Sequence, residues 1–211
     1  MFAGGDLPPA AVAAQLPATA FVIAADSGLA AAAALGRRVD LVVGDLDSVD
    51  VEALGAARAA GSAVEAHPAE KDQTDLELAL DAALARGCRR VTVVGGAGGR
   101  LDHLLANLAL LAAPRYTGAV IDAWVGTAAV VVVRDEADLV GRPGELVSLV
   151  PVGGPARGIR TDGLRYALDD EDLEPGASRG VSNELAADRA RVTLRSGTLL
   201  AIRPDALAPP P

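Results

Sequence analysis

Over the first 125 residues, short apolar runs alternate with longer stretches in which Ala and Leu recur at helical spacing. FVIAA gives way to SGLAAAAALG, LVV to VDVEALGAARAAG, the extended AVEAHP to TDLELALDAALARG, and VTVV to LDHLLANLALLAA, before AVIDAWV closes the series. The short runs are rich in Val and Ile, as buried strands are, and the longer ones carry apolar residues three and four apart. Strand and helix in alternation predict a parallel sheet wrapped by helices. The period then changes. AVVVV, ELVSLVPV, GIRTDGLRYAL, ARVTLRSG and TLLAIRP are strand-like, separated by Gly, Pro and Asp turns, with no helical spacing between them. Residues 1–125 are therefore expected to form an α/β domain, and residues 126–211 an antiparallel β domain small enough to lean on a partner. MFAGGD leaves room only for a short first strand, or for natural chain upstream of Met1, and ALAPPP reads as a loose tail.

At 211 residues and 51% hydrophobic, the chain has ample material for a core. It contains no uninterrupted apolar stretch of about eighteen residues and no basic-then-apolar leader, so a soluble, cytoplasmic protein is expected. Cys88 is the only cysteine, which excludes an intrachain disulfide and a cysteine-built zinc site, and it reads as a small buried hydrophobe. A formal net charge of -9 argues against nucleic acid as a partner and suits a cationic small molecule or metal ions. Lys71 is the sole lysine, which makes its position informative.

Charged residues recur where the predicted strands give way to helices. Asp26 follows FVIAA, Asp45 and Asp47 follow LVV, Lys71, Asp72 and Asp75 precede a helix, and Arg100 and Asp102 follow VTVVGGAGG. In an open parallel sheet these positions share the carboxyl edge, where ligands bind. Acids crowded there repel one another unless a cation lies between them, and magnesium prefers carboxylate oxygen shared with substrate phosphates. The stretch VVGGAGGRLDH sets four glycines between strand and helix, a geometry that brings N–H groups to phosphate. It is not a dinucleotide fingerprint, because Leu101 stands where the third glycine would be, and no GK[ST] follows. Arg100 can fork onto a phosphate and Lys71 adds a second cation. Plainer readings exist for single residues: Asp26, Asp50 and Asp102 as helix N-caps, and His67 and His103 as structural or solvated side chains. Capping does not account for Asp45, Asp47 and Asp75 together. Trp124 reads as a core or interface residue, whereas Tyr166, one of five aromatics, sits in a turn-rich segment after TDGLR.

GDLDS, KDQTDLELAL, GGAGGRLDH with Asn107, TDGLRY and SNE occur in the order expected of thiamine pyrophosphokinases, and the chain resembles a bacterial member of that family over nearly its whole length. It departs at Ser27, in ADSGLA, and at Tyr166, a place held by Trp in some relatives. The resemblance implies a Rossmann-like three-layer α/β domain, then a β-sandwich-like domain, in a homodimer with active sites at the subunit interface. It implies transfer of pyrophosphate from ATP to the hydroxyl of thiamine, giving thiamine diphosphate and AMP, with Mg2+. Asp45, Asp47 and Asp75 would hold the metal, with Asp102 a further ligand or base. Lys71 and Arg100 would contact phosphates, with Thr74 and Asn107 as hydrogen-bond partners. Asp26 and Asp72 would face the nucleotide, or Asp72 would orient Lys71. Tyr166 would offer a face to the aminopyrimidine or the thiazolium, and Ser182 and Asn183 would bond the pyrimidine edge. Two rivals share the machinery: a pterin pyrophosphokinase, and a non-catalytic nucleotide sensor. The TDGLRY and SNE pair favours thiamine, and the full set of acids favours catalysis.

Overall fold

Residues 1–98 and 100–208 are described by the structure, a computed structural model. Gly99, the fourth glycine of GGAGG, and residues 209–211 of the expected tail lie outside them. The chain divides into two compact units, one comprising Met1–Asn107 with Ala123–Gly126, the other Leu108–Asp122 with Thr127 onward.

In the first unit, β1 (Ile23–Ala25), β2 (Leu41–Gly44) and β3 (Ala63–Ala66) form a parallel sheet in that order, with Ile23 beside Leu41 and Leu41 beside Ala63. Every residue of β1 and β2 is buried, as strands without polar alternation require. The first strand shrinks to one residue. Phe2, 2% exposed, makes parallel bridges to both Ala24 and Val94 and so stitches β1 to β4 (Arg90–Val94). Helices α1 (Gly28–Ala34), α2 (Val51–Ala59) and α3 (Asp75–Ala85) follow β1, β2 and β3. Leu76, Ala79, Leu80, Ala82 and Ala83 form the buried stripe of α3, at the helical spacing legible in TDLELALDAALA. Its ends are also coded: the Thr74 side chain accepts from the Glu77 N–H at 3.2 Å, and Gly87 follows at φ +81. A 3-10 helix at Ala10–Gln15 was not expected from the sequence. Helix α4 (Leu101–Leu111) begins in this unit, and β5 (Val120–Val125) ends in it.

The second unit is antiparallel. Its strands are β6 (Ala128–Val133), β7 (Glu136–Val140), β8 (Leu146–Pro151), β9 (Ala156–Asp162), β10 (Asp169–Leu173), β11 (Asn183–Glu184), β12 (Arg189–Thr193) and β13 (Leu199–Arg203). One sheet runs β10-β9-β12-β7, and β11-β8-β13-β6-β5 are consecutive strands of a six-stranded second sheet. Leu139, Ile159, Leu173 and Val192 from the first sheet join Val133, Val147, Leu149 and Leu199 from the second in one buried cluster, the sandwich-like core expected of two half-apolar sheets. Two details depart from the sequence reading. GIRTDGLRYAL is a strand only to Asp162, beyond which the chain turns, and β7, β10 and β11 were not foreseen. No helix among the described residues is long and apolar enough to cross a membrane.

Candidate active site

The carboxyl ends of β1 and β2 carry the acids. Asp26, directly after β1, takes φ +46, and Leu46, between Asp45 and Asp47, takes φ +66. Left-handed backbone costs a residue such as Leu about 1–2 kcal/mol, and the fold sustains it where the chain leaves β2. The result is convergence: one carboxylate oxygen from each of Asp26, Asp45 and Asp47 lies within 4.8 Å of the others. Gly44 makes room for it. At φ +150, a Cβ there would stand 3.1 Å from the Asp26 Cβ and 3.1 Å from Asp75 Oδ1.

Lys71 lies between two of the acids. Its ammonium donates to Asp45 Oδ2 at 2.6 Å and sits 3.1 Å from Asp75 Oδ1, near enough for ion pairing but out of line for a hydrogen bond. Burial opposes charge on Lys71, but the contacts with Asp45 and Asp75 outweigh it and hold its pKa above the ordinary lysine value. The same Lys71 bond holds Asp45 below the usual carboxylate value, helped by the Asp47 N–H at 3.3 Å. Asp47 is pushed the other way, first by its hydrogen-bonding contact with the Asp45 carboxylate and then by the charges of Asp45, Asp26 and Asp75. Asp26 is 8% exposed; Ser48 Oγ donates to its Oδ2, while its Oδ1 is buried with no hydrogen-bond partner among the described residues. A buried orphan carboxylate oxygen beside two further acids is the donor set a hard divalent cation takes. The residues present fit magnesium.

A cleft of about 420 Å³ opens beside this cluster, lined among others by Asp26, Ser48, Lys71, Asp75, Arg100 and Asn107. The glycine-rich loop forms one wall. Two of its amides are already committed, Gly95 N–H to Trp124 O at 3.0 Å and Gly96 N–H to Gly4 O at 2.9 Å, so these do not face a ligand. Arg100 and Asp102 form an exposed two-bond pair, at 3.2 and 2.6 Å, and the guanidinium holds the Asp102 carboxyl down at about 2. The acids of the site divide among three sets of contacts. Asp26 joins Asp45 and Asp47, Asp75 shares Lys71 with Asp45, and Asp102 pairs with Arg100. Asp72 is exposed, and Asp45 and Asp75 hold Lys71. The Thr74 hydroxyl caps α3, and Asp50 caps α2, accepting from the Ala53 N–H at 2.8 Å. Four polar cleft residues were not singled out as ligands by sequence: Ser27, Ser48, Gln73 and His103. Each lies inside a quoted motif, beside a more conspicuous charge.

In the second unit Tyr166 is 57% exposed. Ser182 takes φ +58 and donates its N–H to Ser148 Oγ at 3.2 Å. The Asn183 side chain, 4% exposed, bonds the main chain of Tyr166.

Residues 13–121 match the family model described as thiamin pyrophosphokinase, catalytic domain, and residues 131–199 that described as thiamin pyrophosphokinase, vitamin B1 binding domain. The chain is 31% identical over 172 residues to a thiamine pyrophosphokinase of Bacillus subtilis, covering 76% of each chain. It superposes on a crystal structure of thiamine pyrophosphokinase from Bacillus subtilis with a TM-score of 0.82 at 27% identity, over 95% of each chain. It also superposes on that from Geobacillus thermodenitrificans at 0.78 and 28%, over 95% of this chain and 94% of the other. The enzyme from Candida albicans, at 12% identity and a TM-score of 0.78, shares the fold over 95% of this chain and 88% of its own. With both family models matched in order and the acids of the first gathered at the carboxyl edge of the parallel sheet, the chain belongs to the thiamin pyrophosphokinase family.

Proposed function

We propose that this chain transfers pyrophosphate from ATP to the hydroxyl of thiamine, giving thiamine diphosphate and AMP with Mg2+ present. The observation that carries the reading is the convergence of Asp26, Asp45 and Asp47 beside Lys71, at the mouth of a cleft walled by a glycine-rich loop. Asp26, Asp45 and Asp47 are the residues that would hold a magnesium ion, with Asp75 close by across Lys71 and Asp102 paired with Arg100. Bound there, the ion would neutralise phosphate charge.

The thiamine hydroxyl attacks the β-phosphorus of ATP. One O–P bond forms as the bond from that phosphorus to the α-phosphate oxygen breaks, AMP departs with the oxygen, and the hydroxyl proton is released to water. Little covalent work falls to the protein, whose task is positioning and charge stabilisation. Lys71 and Arg100 contact the phosphates, and Asn107 and Asp26 line the same cleft. Asp102, whose carboxyl is held at about 2, is a weak base and serves better as an anion than as a proton acceptor. The acceptor is met by Tyr166, whose exposed ring can stack on a flat heterocycle, and by Ser182. Residues 1–125 supply the ATP and metal machinery and residues 126–211 the acceptor-binding and dimerisation surface, in a cytoplasmic homodimer whose active sites lie at the subunit interface.

A pterin acceptor is disfavoured by the match of residues 131–199 to a vitamin B1 binding domain. Incubation with ATP, magnesium and either thiamine or 6-hydroxymethyl-dihydropterin, with products identified by mass, tests the assignment. Thiamine diphosphate from thiamine alone is expected, and a diphosphorylated pterin as the main product would overturn it.

A further inference from the structure

We propose that Asn183 is a positioning residue: its side chain fixes the main chain of Tyr166, so that the ring is presented from a rigid loop, and it does not itself contact the acceptor. The fixing of Tyr166 stands on the geometry alone. Its consequence for substrate binding rests on the thiamine reading above.

Taken as whole residues, Asp26 and Asn183 are the buried polar residues among those described, and of the two only Asn183 bonds main-chain groups through both its oxygen and its nitrogen. Its Oδ1 accepts from the Tyr166 N–H at 3.0 Å and from the Glu184 N–H at 2.8 Å, which uses both lone pairs. Its Nδ2 donates to the Tyr166 carbonyl at 2.7 Å. One side-chain amide therefore takes both the N–H and the C=O of Tyr166, as a neighbouring strand residue would. At 4% exposure, with its acceptor capacity spent, Asn183 has little left for a ligand.

The surroundings make the same pairing continuous. Leu164 and Leu185 form an antiparallel bridge and are 5% and 1% exposed. The Arg165 N–H donates to the Glu184 carbonyl at 2.9 Å, and the Arg165 guanidinium reaches the Glu184 carboxylate at 2.8 Å. The guanidinium carbon also stands 5.4 Å from the centre of the Tyr166 ring, supporting it as a cation–π partner. Tyr166 is thus an exposed ring on a pinned backbone. An aromatic held in place before binding gives up less conformational freedom when a flat ligand stacks on it. The chemistry of the amide is specific: an aspartate would set negative charge against the Tyr166 carbonyl, and an alanine would leave the Tyr166 N–H and C=O unpaired beneath the surface.

The test compares Asn183→Ala, Asn183→Asp, Tyr166→Ala and the Asn183→Ala/Tyr166→Ala double variant. In steady-state assays Tyr166→Ala should raise KM for thiamine about 5- to 100-fold, the scale of a lost stacking face. Asn183→Ala should raise it by no more than that with KM for ATP unchanged, and Asn183→Asp, which keeps both accepted bonds, by less. The double variant should be no worse than Tyr166→Ala, because Asn183 acts through the ring. Factors that multiply in the double variant would mean that Asn183 touches the acceptor directly, and the proposal would fall. Amide hydrogen exchange on the ligand-free protein reads the same claim without activity: exchange at Tyr166 should be faster in Asn183→Ala, which removes the acceptor of the Tyr166 N–H, than in the wild type, and an unchanged rate in that variant would overturn the pinning. If the wild-type protein does not use thiamine, the functional reading fails by itself, and the exchange measurement still decides the role of Asn183.

Discussion

Replacing Gly44 by alanine tests whether the acids are gathered by close packing around one backbone position. Gly44 ends β2 at φ +150, and an added Cβ would meet the Asp26 Cβ at 3.1 Å and the Asp75 carboxylate at 3.1 and 3.2 Å. Gly36, at the carboxyl end of α1, is the control: it has φ +63, with nothing within 4 Å of an added Cβ. Gly36→Ala should cost only the left-handed backbone penalty, about 1–2 kcal/mol. Gly44→Ala adds to a comparable backbone strain an overpacking cost of about 1–3 kcal/mol, for about 2–5 kcal/mol in all. Urea unfolding of both variants, followed by circular dichroism, measures the gap. The site offers a second readout, since forcing Asp26 and Asp75 away from Gly44 should lower turnover, whereas Gly36 touches none of the acids. Equal destabilisation of the two variants, or full turnover in Gly44→Ala, would refute the reasoning.

Glu145 and Arg203 form an ion pair at 2.7 Å with side chains only 5% and 13% exposed, so Glu145→Ala should destabilise by about 3–5 kcal/mol in urea, with much of that recovered on adding Arg203→Met. A loss near zero in the single variant would contradict the burial argument. Asp172 is held below the usual carboxylate value by the Gly158 N–H at 2.9 Å and then by Arg157, so its contribution is present above the unfolded pKa and lost as pH falls through the folded one. The stability difference between wild type and Asp172→Asn should therefore shrink as pH drops below about 4, and a difference independent of pH would count against it. Mixing Tyr166→Ala with Asp45→Asn under subunit exchange should regenerate activity above either parent if acids of one protomer and the ring of the other share a site. Proven exchange without recovered activity would count against the shared site.

The alternation of strand and helix was legible because each element carries its own period. LVVG is wholly buried in β2, and α3 shows both its apolar stripe and its cap in sequence. Of the strands that escaped notice, β7 carries a short alternation in EADLV, but the other two lack that signal. DDEDL, which forms β10, holds one apolar residue in five, and β11 is two residues long, so both depend on partners distant in sequence rather than on local pattern. The single-residue first strand at Phe2 is likewise made by its neighbours. At the site, the motifs pointed to the correct sheet edge, but not to which acids meet. Asp26 after FVIAA is compatible with a helix cap, and only its left-handed turn, with Ser48 on one oxygen and none on the other, sets it with Asp45 and Asp47. Asn183 in SNE reads as a ligand by composition, and its burial against the Tyr166 main chain is a tertiary fact.

The most direct test of the central claim is the identity of the adenine nucleotide released when protein, ATP, magnesium and thiamine are combined. Attack at the β-phosphorus requires AMP in step with thiamine diphosphate, and Asp45→Asn and Asp47→Asn, which keep the side-chain shape but remove charge from the converging acids, should stay folded and release almost none. ADP as the main product, or near-normal magnesium-dependent AMP release by both variants, would contradict the account.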